Sequence, residues 1–299
     1  MIHIHNGDVI AALAARSGIP GEHLAFRESL VTGPVVPGDD WIETRAQAIA
    51  DGHAHDLLRV RTDLMEQEQA LDGAPSHDEV VLWFEHDLYC LIHLMYLLQR
   101  LGGAPVSLVW SPIPLSENDE GGLYELYESR VDVPPAMTAL AREAWAAYTS
   151  PDPTALNRFL ARDAADFPFL REGLMLHASR FPSPFNGLGA MEQRVLTHVA
   201  SGFTEFPKLF DHINAEVPRF GFGDSEVFRH LRALAMRPVP LITLTGEPPK
   251  ALAVITPAGE SVLGGTVDDA SINDPDLWLG GTHLTKSHMF RWTGERIEG

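Results

Sequence analysis

Residues 80–84, Val80-Val81-Leu82-Trp83-Phe84, form a short, unbroken apolar run that stops at Glu85-His86-Asp87. Such a run fits a strand covered on both faces, as in a parallel sheet clothed by helices. The neighbouring sequence keeps the same rhythm. Residues 2–5 read as a strand. Asp8 is placed to cap a helix over 9–16, which Gly18 or Gly21 would end. Residues 24–28 read as a second strand, and 41–51 and 55–71 as charge-rich helices. Asp87 would cap a helix over 88–101 that is apolar nearly all round and so belongs in the interior. Gly102-Gly103 stops it, and 106–110 supply a fourth strand. This order predicts an α/β class fold. Residues 1–130 form a Rossmann-like domain whose parallel sheet has right-handed crossovers.

The rhythm then changes. Residues 131–187 read as a helical connector, with helices over 136–148, 153–161 and 166–180 and a Pro- and Gly-rich hinge at 181–189. Helices over 191–200, 206–215 and 224–236 are followed by strands over 241–244 and 252–255. Three helices and a hairpin are the plan of a winged helix, so 188–299 is expected to be a winged-helix-like α+β domain. A short helix over 257–263 and a small β tail over 278–292 complete it.

A chain of 299 residues, 45% apolar, can bury a sizeable core. Its one cysteine, Cys90, excludes an internal disulfide. There is no basic leader with a long apolar run, and no apolar stretch of membrane-spanning length. Together these predict a cytoplasmic protein without a membrane partner. A formal net charge of −19 repels phosphate backbones unless basic residues cluster locally. Arg229, Arg232 and Arg237 sit on the third helix of the C-terminal domain. Residues 188–265, however, carry seven basic and eight acidic side chains, which is no electropositive footprint. Nucleic acid is therefore not the expected partner. A protein partner or a second copy of the chain fits this domain better.

In an open parallel sheet, ligands bind beyond the carboxyl ends of the strands. Here those ends read His5-Asn6-Gly7-Asp8, Arg27-Glu28, Glu85-His86-Asp87 and Trp110-Ser111. Asp8, Glu28, Glu85, His86 and Asp87 are the candidate catalytic residues, since carboxylates and imidazoles exchange protons near neutral pH. His5, Asn6, Gly7, Arg27, Gly33, Arg45 and Ser111 are the candidate ligand-binding residues; either arginine can grip an anion through two N–H groups. His3 and His5 share one face of an extended strand, and His-x-His can begin a metal site with His53, His55 and Asp87. Residues 53 and 55 do not share a helical face, so no metal is expected. Val9 stands where a serine would complete a Gly-Asp-Ser block. No Gly-x-Gly-x-x-Gly or P-loop stretch is present, so no cofactor is indicated. Cys90, inside an apolar helix, reads as core.

Several of these motifs together resemble a bacterial family known only as a domain of unknown function. They are His5-Asn6-Gly7-Asp8, Phe26-Arg27-Glu28, Gly33-Pro34, Thr44-Arg45 and Leu82-Trp83-Phe84-Glu85-His86-Asp87-Leu88. Further along come Phe167-Pro168-Phe169-Leu170, Phe181-Pro182, Asn186-Gly187-Leu188-Gly189 and Trp278-Leu279-Gly280-Gly281. The resemblance implies an α/β N-terminal domain with a C-terminal extension, and marks the strand-end residues as a family signature. It implies no activity. The chain departs from the pattern at Cys90, where a polar residue is expected after Tyr89. The expected function is binding of a small anionic or nucleotide-like molecule at the strand ends, with hydrolysis or group transfer as the chemistry. The alternative is a ligand-sensing regulator whose winged helix contacts a protein or DNA.

Overall fold

The computed structural model describes residues 1–53 and 56–299. The N-terminal part runs β1 (Ile2–Asn6), α1 (Asp8–Arg16), β2 (Glu22–Phe26), α2 (Trp41–His53), α3 (Leu57–Gly73), β3 (Val80–Glu85), α4 (Leu88–Arg100) and β4 (Val106–Ser111). It continues through α5 (Glu120–Glu128) and β5 (Val131–Asp132). The five strands form one sheet in the order β2-β1-β3-β4-β5. The first four are parallel, and β5 pairs antiparallel with β4. The α/β class and the parallel sheet are thus as expected. The two-residue β5 is too short to leave a periodic signal, and it carries the sheet past residue 130.

Alternation along the strands divides the core. Ile4, Leu82 and Phe84 face α4 in the main apolar cluster. Val81 and Trp83 face the other way, against Ile10 and Ala14 of α1 and Leu123 of α5. Helices on both faces explain why β3 is apolar throughout.

The rest of the chain is α6 (Pro135–Tyr148), α7 (Thr154–Leu160), α8 (Leu170–Ala178), α9 (Ala190–Ala200), α10 (Phe206–Glu216) and α11 (Asp224–Ala235). Three small hairpins and two short helices follow: β6 (Ile242–Thr245) with β7 (Leu252–Ile255), α12 (Pro257–Leu263), α13 (Asp269–Ile272), β8 (Leu277–Leu279) with β9 (Thr282–Leu284), and β10 (Arg291–Trp292) with β11 (Ile297–Glu298). Helix α8 starts four residues later than expected. Pro168 disfavours helical backbone at Phe167, and Phe169 takes a left-handed φ of 63°. The Pro- and Gly-rich stretch at 181–189 is packed rather than loose. Phe181, Asn186 and Leu188 are buried, and Ser183 N–H donates to Leu188 O at 2.9 Å. The main apolar cluster runs from Ile2 to Ile297, through all three segments. No helix among the described residues is long and apolar enough to cross a membrane.

Strand β2 begins and ends two residues earlier than expected, which leaves Arg27 and Glu28 in the connection to α2. That connection is buried: Glu28, Ser29, Leu30, Val31, Thr32 and Val35 are all shielded from solvent. A buried loop must find partners for its backbone groups. Here the partners are side chains. Tyr89 donates to Glu28 O at 2.6 Å, Tyr148 to Leu30 O at 2.6 Å, and Arg180 Nη2 to Val31 O at 2.7 Å. His93 Nε2 accepts from Leu30 N–H at 3.2 Å. Arg45, fully buried on α2, donates to Ser29 O, Thr32 O and Pro34 O at 2.8–2.9 Å. Its Nε and Nη2 also grip the two Glu28 oxygens at 2.8 and 2.7 Å. Gly33 permits the tight approach of α2, because a Cβ there would lie 2.6 Å from Ala48 Cβ and its φ is +68°.

Removing one partner of a buried ion pair strands the other charge, at a cost of about 3–5 kcal/mol. Arg45→Met should therefore lower unfolding stability by that amount in urea titrations. Arg45→Lys should recover only a minor share, since an ammonium cannot reach five acceptors in one plane. A loss under about 1 kcal/mol in Arg45→Met would show that the loop is not held this way.

Candidate functional site

A groove of about 820 Å³ opens at the carboxyl ends of β1 and β2. Asn6, Gly7 and Asp8 form one wall, and Arg27, Glu28 and Ser29 the floor. Asp56, Arg59 and Asp63, at the start of α3, face them, and Tyr89 of α4 closes the inner end. Gly7 turns the chain from β1 into α1 with φ +94°, and nothing lies within 4 Å of where its Cβ would be. The α1 N-terminus, whose first amides have no intrahelical acceptor, therefore meets the groove without a side chain in the way.

Arg27 and Asp8 form a two-pronged pair, Nη2 to Oδ1 at 2.6 Å and Nε to both oxygens at 3.0 Å. Both side chains are more than half exposed, so the pair is screened and easily opened. The guanidinium hydrogen bonds hold the Asp8 carboxyl below the usual carboxylate range. Asn6 is fixed from behind: its amide donates to Cys90 Sγ at 3.0 Å, and its oxygen lies 2.9 Å from His93 Nδ1. His93 Nε2 already accepts from Leu30, so Nδ1–H is the donor to Asn6. Glu28 borders the groove, but both its oxygens accept from Arg45 and Oε2 also accepts from Ser29 N–H at 2.6 Å. Arg45 has all five N–H donors engaged and none left for a ligand. Both residues serve the loop that floors the groove.

The remaining strand ends lie outside this lining. Glu85 accepts from Leu115 N–H at 2.9 Å, and burial pushes its carboxyl upward. His86 packs between Trp110 and Phe169, and burial and then the nearby Arg219 lower its pKa. Asp87 caps α4 through Cys90 N–H at 2.7 Å, and burial raises it to about 7. Gly221 is pressed onto it: a Cβ at that position would lie 2.2 Å from Asp87 Oδ1. Ser111 is buried, and its hydroxyl accepts from Ile113 N–H at 3.3 Å. Among the described residues, the ends of β3 and β4 thus stay out of the groove beside β1 and β2, and the chain around Phe169 and Gly221 packs against the end of β3.

The N-terminal histidines belong to the sheet. His3, His5 and His23 stack with ring centroids 4.7–6.1 Å apart. Their partners fix the tautomers. Trp83 Nε1 donates to His3 Nδ1 at 3.1 Å, so His3 Nε2–H donates to Pro20 O at 2.9 Å. His23 Nε2–H donates to Ile19 O at 3.2 Å, so its Nδ1 accepts from His5 Nε2–H at 2.9 Å. These rings are engaged with one another, with Trp83 and with backbone. His55 lies outside the described residues, as does the side chain of His53. Among the described residues, Glu85, Asp87 and Cys90 bring donor atoms within 4.8 Å of one another. Burial raises the Cys90 thiol well above its ordinary value, which disfavours the thiolate a metal would need.

Ser29, Asp56, Arg59, Asp63 and Tyr89 are groove residues that the strand-end pattern does not point to. The α3 residues read in sequence as an ordinary solvated helix face, and Tyr89 reads as core. Comparison of the chain with protein-family models gives no match, and neither does comparison with curated proteins. The groove therefore stands on its geometry.

Burial lowers His3 to about 4 and His5 to about 2. Unfolded, both take a proton near pH 6.5, so their contribution is present above that pH and is lost as pH falls below it. Asp87, raised to about 7, works in the opposite sense by gaining a proton in the folded state. The stability difference between pH 7.5 and 5.0 should shrink by about 2 kcal/mol in His5→Phe, measured by urea titration at both pH values. An unchanged difference would mean that His5 is not held neutral.

Proposed function

We propose that the protein binds a small anionic, nucleotide-like molecule in the groove beyond β1 and β2. The observation that carries this reading is the meeting of Arg27 with the uncapped α1 N-terminus across Gly7, at the carboxyl edge of a parallel sheet. A volume of about 820 Å³ suits a metabolite-sized ligand. Arg27, released from Asp8, takes the anionic group together with the α1 amides. Asp56 and Asp63, on the opposite wall, suit amine or hydroxyl donors at the other end of the molecule. Such a two-ended ligand matches the mixed charge of the groove better than a bare anion does. For hydrolysis or group transfer, Asp8, freed as Arg27 turns to the ligand, is the carboxylate beside the bound group and can accept a proton from it.

A regulatory role is the second reading. Ser29 lines the groove, and its hydroxyl donates to Glu226 Oε1 of α11 at 2.9 Å. Thr32 donates to Glu226 Oε2 at 2.9 Å. A ligand that moved Ser29 would be felt by the C-terminal helices. The three helices α9–α11 with the β6–β7 hairpin, and the extra bridge between Glu205 and Leu252, follow the plan of a winged helix. The α11 face carrying Glu226 and Val227 is buried, and Arg229 and Arg237 are held in ion pairs. This favours a protein partner, or the rest of the chain itself, over DNA.

The test is a thermal-shift screen of nucleotides and phosphorylated sugars at fixed ionic strength, followed by calorimetry on the hits. A ligand should raise Tm, and Arg27→Gln should weaken its binding about tenfold or more. No shift across the panel, or a shift that survives Arg27→Gln unchanged, overturns the reading.

A further inference from the structure

We propose that a second site, in the seam between the sheet domain and the C-terminal helices, binds a small oxyanion: a phosphate or a carboxylate group held by Arg180. A cavity of about 290 Å³ lies there, lined by Thr32, Arg180, Met191, Glu192, Arg229 and His230, among others.

Arg180 is 5% exposed and lines this cavity. Its Nη2 donates to Val31 O at 2.7 Å and its guanidinium lies 5.5 Å from the centre of the Phe222 ring, while its Nε and Nη1 have no hydrogen-bond partner among the described residues. A buried guanidinium with idle N–H groups is costly, and arginines in protein interiors are ordinarily paired. His230, on α11, adds another buried and unpartnered polar atom, Nε2. Burial lowers both groups, and the neighbouring Arg229 charge adds to this, while Tyr148, Glu226 and Glu192 partly support the charge of Arg180. An anion in the cavity would offset the repulsion from Arg229.

A second, independent feature points the same way. Gly189, Met191 and Glu192, at the start of the eleven-residue α9, line the cavity. The amides of Met191 and Glu192 lie in the first turn and have no intrahelical acceptor. The acids nearby are already engaged. Glu192 accepts from Arg237 Nη2 at 3.1 Å and from Gly189 N–H at 2.8 Å. Asp276 lies 2.7 Å from His283 Nε2, and Asp51 accepts from Gln47 at 2.8 Å. Glu226 binds Arg229 Nε at 3.1 Å as well as the Ser29 and Thr32 hydroxyls. Among the described residues lining the cavity, Arg180 has no carboxylate hydrogen-bonded to it. The cavity shares no lining residue with the groove.

The experiment is calorimetric titration of the full chain with inorganic phosphate and, separately, with acetate, against chloride at constant ionic strength. Saturable one-site binding of at least one of them is expected. A preference for phosphate assigns a phosphoester group to the site, and a preference for acetate assigns a carboxylate. Arg180→Gln should weaken binding about tenfold or more. Should that variant misfold, Ala233→Trp serves instead. Ala233 is an exposed residue of the cavity wall, and an indole there should abolish binding with the fold intact. Arg27→Gln, in the groove, should leave binding unchanged. The proposal is overturned if neither anion binds saturably, which would mean that water alone serves Arg180. It is also overturned if binding survives Ala233→Trp or is lost in Arg27→Gln.

Discussion

Six backbone carbonyls between Glu28 and Pro34 accept hydrogen bonds from the side chains of Tyr89, Arg45, Tyr148 and Arg180. These donors come from α4, α2, α6 and the turn after α8. Connections usually run over the surface because water satisfies their backbone. This one runs through the interior, and its cost is met by side chains from most of the molecule. The Arg45–Glu28 pair is central. One guanidinium fixes three carbonyls and one carboxylate, so α2 cannot shift without exposing them. The loop also meets the C-terminal segments: Glu226 binds Ser29 and Thr32, and Gly280 O accepts from Val35 N–H at 2.9 Å. One apolar cluster spanning the whole chain is the packing counterpart of that polar seam.

This arrangement also shapes the groove. Its floor, Arg27 to Ser29, is the start of the buried loop, and Asn6 is braced by Cys90 and His93 of α4. Arg27 and Asp8 are the exceptions, paired to each other and more than half exposed. A rigid frame with two adjustable charges is what a binding site needs if it is to orient a ligand at low entropic cost. The same loop passes Val31 O to Arg180 and Thr32 into the seam cavity, so both proposed sites rest on one backbone segment.

The sheet was largely legible in the sequence. The apolar run at 80–84, the cap at Asp87 and the Gly stops place four parallel strands and their helices, because burial on both faces leaves a strong pattern; Asp8, expected as a cap, is instead the first residue of α1, and Gly7 precedes it without a side-chain cap. The role of Arg45 was not legible. An arginine in a charged helix near the strand ends reads as a grip for an anion, and only the fold reveals that a loop with carbonyls to satisfy lies against it. Glu28 was read as a strand-end acid for the same reason. The strand ends did not gather as one site, since the turn at Phe169 and the approach of Gly221 over Asp87 are long-range features with no local signature. His3 and His5 did share a face, as period-two spacing requires, and their partners are Trp83 and His23 rather than a ligand.

The central claim is that residues 28–35 are held as firmly as the sheet. Native-state hydrogen exchange of the Leu30, Thr32 and Val35 amides tests it most directly. If side chains anchor this loop, those amides exchange only with global unfolding, at the rate of the amides of β1 and β3. If they exchange orders of magnitude faster while the sheet stays protected, the loop opens by itself and the account fails.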